Sequence, residues 1–147
     1  MDSAIAATPL RILLFRPESM DVLPLRLAIG MALKGSVVHT FEQNDAGVRT
    51  ACALIRVGGM YPSLILFEQT SRDPDANEAL AMIRELPELK SIPFVVLGAG
   101  DDPEAKLQAL QEGADAFIPL PERASELQRI GKDVARFWWD AQLPKSA

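Results

Sequence analysis

The chain holds one cysteine, Cys52, among its 147 residues. That excludes an internal disulfide and fits a reducing compartment. Histidine is equally scarce, with His39 alone. No apolar run approaches the roughly 20 residues that a membrane helix needs. There is no block of Lys or Arg, and the net charge is −5, which argues against a phosphate-tracking surface for DNA or RNA. The amino terminus has Asp2 and no basic segment, so no secretory signal is expected. What is present is a 48% hydrophobic chain, too apolar for intrinsic disorder. This length suits one domain burying roughly 70% of its unfolded surface. The expected boundaries are a loose tail over 1–9, a domain over 10–141 and a second tail over 142–147. The expected location is the cytoplasm.

Hydrophobic runs alternate with helical patterns. Arg11-Ile12-Leu13-Leu14-Phe15 is nearly continuous in apolar residues, as in a strand covered on both faces. Val37–Phe41, Leu64–Phe67, Pro93–Leu97 and Ala116–Ile118 read the same way. Between them, Leu23 to Lys34 ends at Gly35. Val48, Ala51, Cys52 and Ile55 recur at i, i+3, i+4 and i+7 before Gly58-Gly59. Leu80, Ile83 and Leu86 mark a third helix, closed by Pro87. Asp102 as N-cap, Pro103 at N1 and Gly113 at the end frame a fourth. A fifth spans about Ser125 to Ala141. Five strands alternating with five helices predict a flavodoxin-like (βα)5 three-layer α/β sandwich, with a parallel sheet of order 2-1-3-4-5.

In such sheets the functional crevice lies beyond the carboxyl ends of the strands. The loops expected there begin at Arg16-Pro17-Glu18-Ser19, Glu68-Gln69-Thr70-Ser71, Gly98-Ala99-Gly100-Asp101 and Pro119-Leu120-Pro121. A dinucleotide site needs glycines in the first turn, and Arg16, Pro17 and Glu18 supply none. Gly98-x-Gly100 precedes Asp101 and Asp102, which repel phosphate. His39 falls on a strand pattern as a packed or edge histidine, and Cys52 lies on the apolar stripe of the second helix. Asp73, Asp75, Asp101 and Asp102 sit at helix starts, where acids serve as caps. No complete catalytic constellation emerges, so an enzyme is not expected.

Three framework stretches carry a resemblance. They are Pro62-Ser63-Leu64-Ile65-Leu66-Phe67, Ile92-Pro93-Phe94-Val95-Val96-Leu97 and Glu112-Gly113-Ala114-Asp115-Ala116-Phe117. In this order and spacing, from about Leu10 to Leu127, the chain resembles a response-regulator receiver domain, the CheY-like phosphoacceptor module of two-component signalling. The resemblance implies an acidic, Mg²⁺-holding pair after the first strand, and those positions hold Arg16 and Pro17, followed by Glu18. It places the phosphoacceptor Asp at Glu68, the Ser/Thr that follows the phosphoryl group at Gly98 and the Lys that pairs with the acceptor at Leu120, with its following Pro kept as Pro121. The aromatic switch position is kept as Phe117.

The departures have physical consequences. Mg²⁺ wants several oxygen ligands, and Arg16 presents a cation instead, so Mg²⁺ binding is expected to be lost and no cofactor is expected. Phosphoryl transfer rests on positioning and charge neutralisation. The extra methylene of Glu68 displaces its carboxylate by about 1.5 Å, a shift that can cost about two orders of magnitude in rate. Two readings of the emptied pocket stay open: an Arg16–Glu68 ion pair, assisted by Glu18, fills it, or both residues are solvated charges at loop ends. Two alternatives remain: an unconventional receiver phosphorylated at Glu68 or at Thr70 or Ser71, and a small-ligand sensor.

In the last helix Leu127, Ile130, Val134, Phe137, Trp138 and Ala141 share one face, whereas Trp139 points away from it. An exposed Trp139 beside Phe137 and Trp138 is an expected interface anchor. The ending is similar to the C-terminal extension of small receivers partnered with bacterial phytochrome kinases. That second resemblance implies a homodimer through the last strand and helix. With the sequence read as ending at Ala147 without an output domain, output is expected to pass through a protein partner, a sensor kinase or another regulator.

Overall fold

The computed structural model describes residues 10–17, 23–69, 74–99, 102–121 and 123–143. The elements run β1 (Arg11–Arg16), α1 (Leu23–Ala32), β2 (Val37–Glu42), α2 (Asp45–Arg56), β3 (Leu64–Gln69), α3 (Pro74–Glu85), β4 (Phe94–Ala99), α4 (Pro103–Gln111), β5 (Ala116–Leu120), a 3₁₀ turn (Ala124–Glu126) and α5 (Leu127–Gln142). All neighbouring strands pair in parallel, in the order β2-β1-β3-β4-β5. This is the expected flavodoxin-like sandwich.

The continuous apolar runs become strands because helices cover both faces of the sheet. Ile12 to Phe15 and Leu64 to Leu66 have no accessible surface at all. Alternate residues then feed two cores. Leu13, Phe15, Phe67 and Val96 pack with α2 and α3 through Val48, Cys52 and Ile83. Ile12, Leu14, Leu66 and Leu97 pack with α1 and α5 through Ile29, Ile130 and Val134. At about 2 kcal/mol for each large apolar side chain buried, these two layers hold the domain together.

Helix ends follow local chemistry. Asp102 accepts from the backbone N–H of Glu104 at 3.0 Å and of Ala105 at 3.2 Å, and Pro103 opens α4 as expected. Gly35 and Gly113 end the turns after α1 and α4 at φ 85° and 102°, a region that glycine enters freely. Asn44 caps α2 by accepting from Gly47 N–H at 2.8 Å. On α5, Gly131 allows close approach to α1: a β-carbon there would lie 2.7 Å from the Ala28 carbonyl carbon and 3.3 Å from Ala32 Cβ.

The strands run further than the apolar letters suggest, and this corrects the expected loops. Arg16, Glu68-Gln69, Gly98-Ala99 and Pro119-Leu120 are the last residues of their strands, not loop residues. The ladder continues as long as a neighbour supplies partners, whatever the side chain: Glu68 pairs with Leu97, Gln69 with Gly98, and Gly98 with Pro119. Pro119 is tolerated because β5 is an edge strand. The last helix also reaches Gln142, one residue past its expected end. Of the expected tails over 1–9 and 142–147, residues 1–9 and 144–147 lie outside the described residues, while Gln142 belongs to α5. No helix among the described residues is long and apolar enough to cross a membrane.

Candidate functional site

β1 and β3 are adjacent, with Phe15 opposite Phe67, so Arg16 and Glu68 follow as neighbours at the carboxyl edge of the sheet. Among the described residues they are the buried charged side chains, 5% and 3% exposed. Arg16 Nε lies 2.8 Å from Glu68 Oε2, and Arg16 Nη2 donates to Oε1 at 3.3 Å. The guanidinium therefore approaches both carboxylate oxygens, through one hydrogen bond to Oε1 and an ion-pair contact to Oε2 that is not aligned as a hydrogen bond. Burial pushes the Glu68 carboxyl above its ordinary range, and the Arg16 charge pulls it part of the way back.

Gln43, just after β2, bonds to the main chain of β1 and β3 beside the pair. Its Nε2 donates to the Phe15 carbonyl at 3.1 Å and also to the Glu68 carbonyl. One amide thus ties together the ends of β1 and β3. The sequence offers no signal for this role, because both acceptors are main-chain groups that any residue supplies.

The other described positions lie at or beside the ends of their strands. Pro17 follows β1 half-buried, and Leu120 ends β5 half-buried against the core shared by α1 and α5. Glu18, Thr70 and Ser71 lie outside the described residues. Gly98 sits under the ring of Phe117: a β-carbon on Gly98 would lie 2.6 Å from Phe117 Cε2, 2.8 Å from Cζ and 3.3 Å from the Gln69 carbonyl oxygen. The aromatic ring therefore occupies the space that a side chain at 98 would need. Gly98→Thr should displace the Phe117 ring, at a cost of about 1 kcal/mol because the far end of a side chain yields more easily than backbone. Phe117→Leu in the same chain should remove that cost, as read by denaturant unfolding and by the ring resonances of Phe117.

Among the described residues no group of three or more His, Cys, Asp or Glu is placed to hold a metal ion. His39 lies on edge strand β2, half-buried, with Nε2 3.4 Å from Arg11 Nη1. Burial and the nearby Arg11 and Arg26 charges lower its pKa. Cys52 is buried, and burial pushes its thiol up, away from the thiolate that nucleophilic chemistry requires.

On α5, Trp139 is 62% exposed. Phe137 and Trp138 are half-buried against the α1/α5 core, so Trp139 is the most exposed of the three. Ala141, expected on the packed stripe, is exposed.

No protein-family model matches the chain. Among curated proteins it is similar to the two-component response regulator ORR7 of Oryza sativa subsp. indica, with 26% identity over 70% of this chain and 49% of the rice protein. It is 29% identical to the KDP operon transcriptional regulatory protein KdpE of Escherichia coli, over 74% of this chain and 45% of that protein. Response regulator Rcp1 of Synechocystis matches at 26% identity over 60% of this chain and 63% of its own length. The chain thus spans about half the length of the first two relatives. Its fold is similar to that of the phosphorylated cyanobacterial phytochrome response regulator RcpA, with TM-score 0.72, 24% identity, and 95% of this chain and all of that one covered. A receiver domain from Rhodospirillum rubrum superposes with TM-score 0.71 at 16% identity, over 93% of this chain and 99% of that one. Sequence relatives and fold neighbours converge: the chain is similar to response regulators and shares the fold of their receiver domains.

Proposed function

We propose that the domain is a phosphorylation-independent interaction module of two-component signalling, a receiver in which an internal ion pair replaces the phosphoacceptor site. The observation that carries this reading is the buried two-point contact between Arg16 and Glu68. Glu68 stands where the resemblance puts the phosphoacceptor, and its carboxylate is already engaged by a fixed cation. Arg16 occupies the place of a metal-holding acid, so a divalent ion would meet like charge there. Gly98 brings no hydroxyl, and Leu120 brings no ammonium group to balance a phosphoryl charge. The domain then carries out no chemistry of its own. It works in the cytoplasm by binding a sensor kinase or another regulator, or a second copy of itself through the last strand and helix, with neither nucleic acid nor membrane as partner.

The test uses Mg²⁺ and beryllofluoride, a phosphoryl mimic, with Trp138 and Trp139 on α5 as the fluorescent reporters. No saturable change is expected, and incubation with acetyl phosphate should leave the mass unaltered. A Mg²⁺-dependent, saturable response would overturn the reading, as would a mass gain of one phosphoryl group. A hydroxylamine-labile adduct would then place it on Glu68, and a stable one on Thr70 or Ser71.

A further inference from the structure

Among the described residues β2 has β1 on one side and no strand on the other. Val37 N–H donates to the Leu10 carbonyl at 2.8 Å, so Val37, His39 and Phe41 turn their main chain toward β1. By the alternation of a parallel strand, Val38, Thr40 and Glu42 turn theirs outward. The Glu42 carbonyl lies against Gly47 of α2. No turn, loop or cap bond reaches Val38 or Thr40, whose two N–H and two C=O groups form an open ladder. Val37 and Thr40 stand exposed along it.

The flanks of this edge are cationic. Arg11 Nη1 lies 3.4 Å from His39 Nε2. Burial, and then the charges of Arg11 and of Arg26, an exposed residue of α1, lower the His39 pKa, which places both guanidiniums near the ring. Lys34 is exposed in the turn that leads into β2. Among the described residues none of Arg11, Arg26 and Lys34 makes an ion pair. The nearby acids are already engaged: Glu42 accepts from Asn44 Nδ2 at 2.9 Å, and Asp45 pairs with Arg49 at 2.7 Å. Three uncompensated cations thus gather along one edge of a chain whose net charge is −5.

We propose that the open edge of β2 receives an extended, acidic segment of a partner protein, which adds a strand to the sheet. This docking rests on the reading of the domain as an interaction module and gives that module its partner-facing side. Main-chain bonds supply the fit, and carboxylates on the incoming strand supply the selection. A second copy's β2 is a poor occupant, because it would bring the same three cations to the contact.

The probe is a blocked eight-residue peptide that alternates Glu and Val, added to the full chain, with a Lys/Val peptide as control. At about 1 mM, where even a weak site fills, the Glu peptide should slow amide exchange at Val38 and Thr40 by about tenfold or more. It should also raise the pKa of His39, the single imidazole of the chain. The Lys peptide should do neither. Arg26→Gln and Lys34→Gln, both at exposed sites, should each weaken binding about threefold. Thr40→Pro removes an outward N–H while leaving the β1 ladder in place, and should abolish the protection at Val38. If that variant does not fold, the two charge variants decide alone. Unchanged exchange at β2 would overturn the proposal, as would an equal response to both peptides or protection confined to β5. Protection that appears on concentrating the chain without peptide would make a second copy the occupant and overturn the acidic partner. A Mg²⁺-dependent beryllofluoride response with the β2 protection retained would sink phosphorylation independence and leave this edge standing.

Discussion

Arg16→Met should destabilise the domain by about 3–5 kcal/mol, because it strands a buried carboxylate without its partner. Glu68→Leu should cost a comparable amount. The guanidinium it leaves behind cannot shed its proton to escape the apolar site. The double variant Arg16→Met/Glu68→Leu should return to within about 1 kcal/mol of the wild type, since an apolar pair of similar volume avoids the desolvation of two ions. Equilibrium urea unfolding of the four proteins closes the cycle. Additive losses in the double variant would show that the two side chains do not act as a unit. The pH dependence gives a second signature. Burial raises the native Glu68 pKa above its ordinary 4.5, so the folded state holds this proton more tightly than the unfolded chain. Its contribution to stability is complete below the unfolded pKa and is lost as pH rises through the native one. Removing Arg16 removes the opposing pull, which raises the native value further. The Arg16→Met deficit should therefore be small near pH 4 and full near pH 8, and a further Glu68→Gln change should abolish that slope.

Gly131→Ala should destabilise the domain by about 2 kcal/mol, although alanine is the better helix former by about 1 kcal/mol. The new methyl group would collide with the Ala28 carbonyl, its carbon only 2.7 Å away. A main-chain group cannot rotate aside, so α5 must shift off α1. No side-chain truncation on α1 should rescue the variant: Ala32→Gly would relieve only a 3.3 Å contact. Gly30→Ala is the counterpart. Its β-carbon would meet nothing within 4 Å, and it should raise stability by up to about 1 kcal/mol. Thermal unfolding of the two variants should move in opposite directions. A stabilised Gly131→Ala protein would mean that the two helices are not seated as closely as described.

The fold was legible because a strand buried on both faces must be apolar without interruption, and five such runs separated by helical periods leave little choice of architecture. The Asp102-Pro103 start and the Gly113 stop of α4 were readable for the same kind of reason, since capping chemistry is local. Strand ends were not. Arg16, Glu68 and Gly98 look like loop residues because they break the apolar run, yet hydrogen bonding to the next strand ignores side-chain polarity. The meeting of Arg16 with Glu68 could be anticipated from the placement of neighbouring strands, but its depth could not: a 3% exposed glutamate depends on layers of packing contributed by the whole chain. Gln43 was invisible because it recognises backbone, and the seating of Phe117 over Gly98 because a missing side chain leaves no mark in a sequence beyond one letter.

The Arg16–Glu68 pair also constrains descent. A lineage that carries it differs at both positions from one with acids there, and the two changes are not independent. Against a total stability of roughly 5–15 kcal/mol, an intermediate that leaves either charge without an opposite one forfeits about a fifth or more of its margin and is exposed to degradation. The passable route runs through substitutions that keep an opposite charge, such as Asp at position 68, which still offers Arg16 a carboxylate. Once both residues are in place, reversal by single steps is steeply uphill, and the domain is free to diversify its outer surfaces while its centre stays fixed.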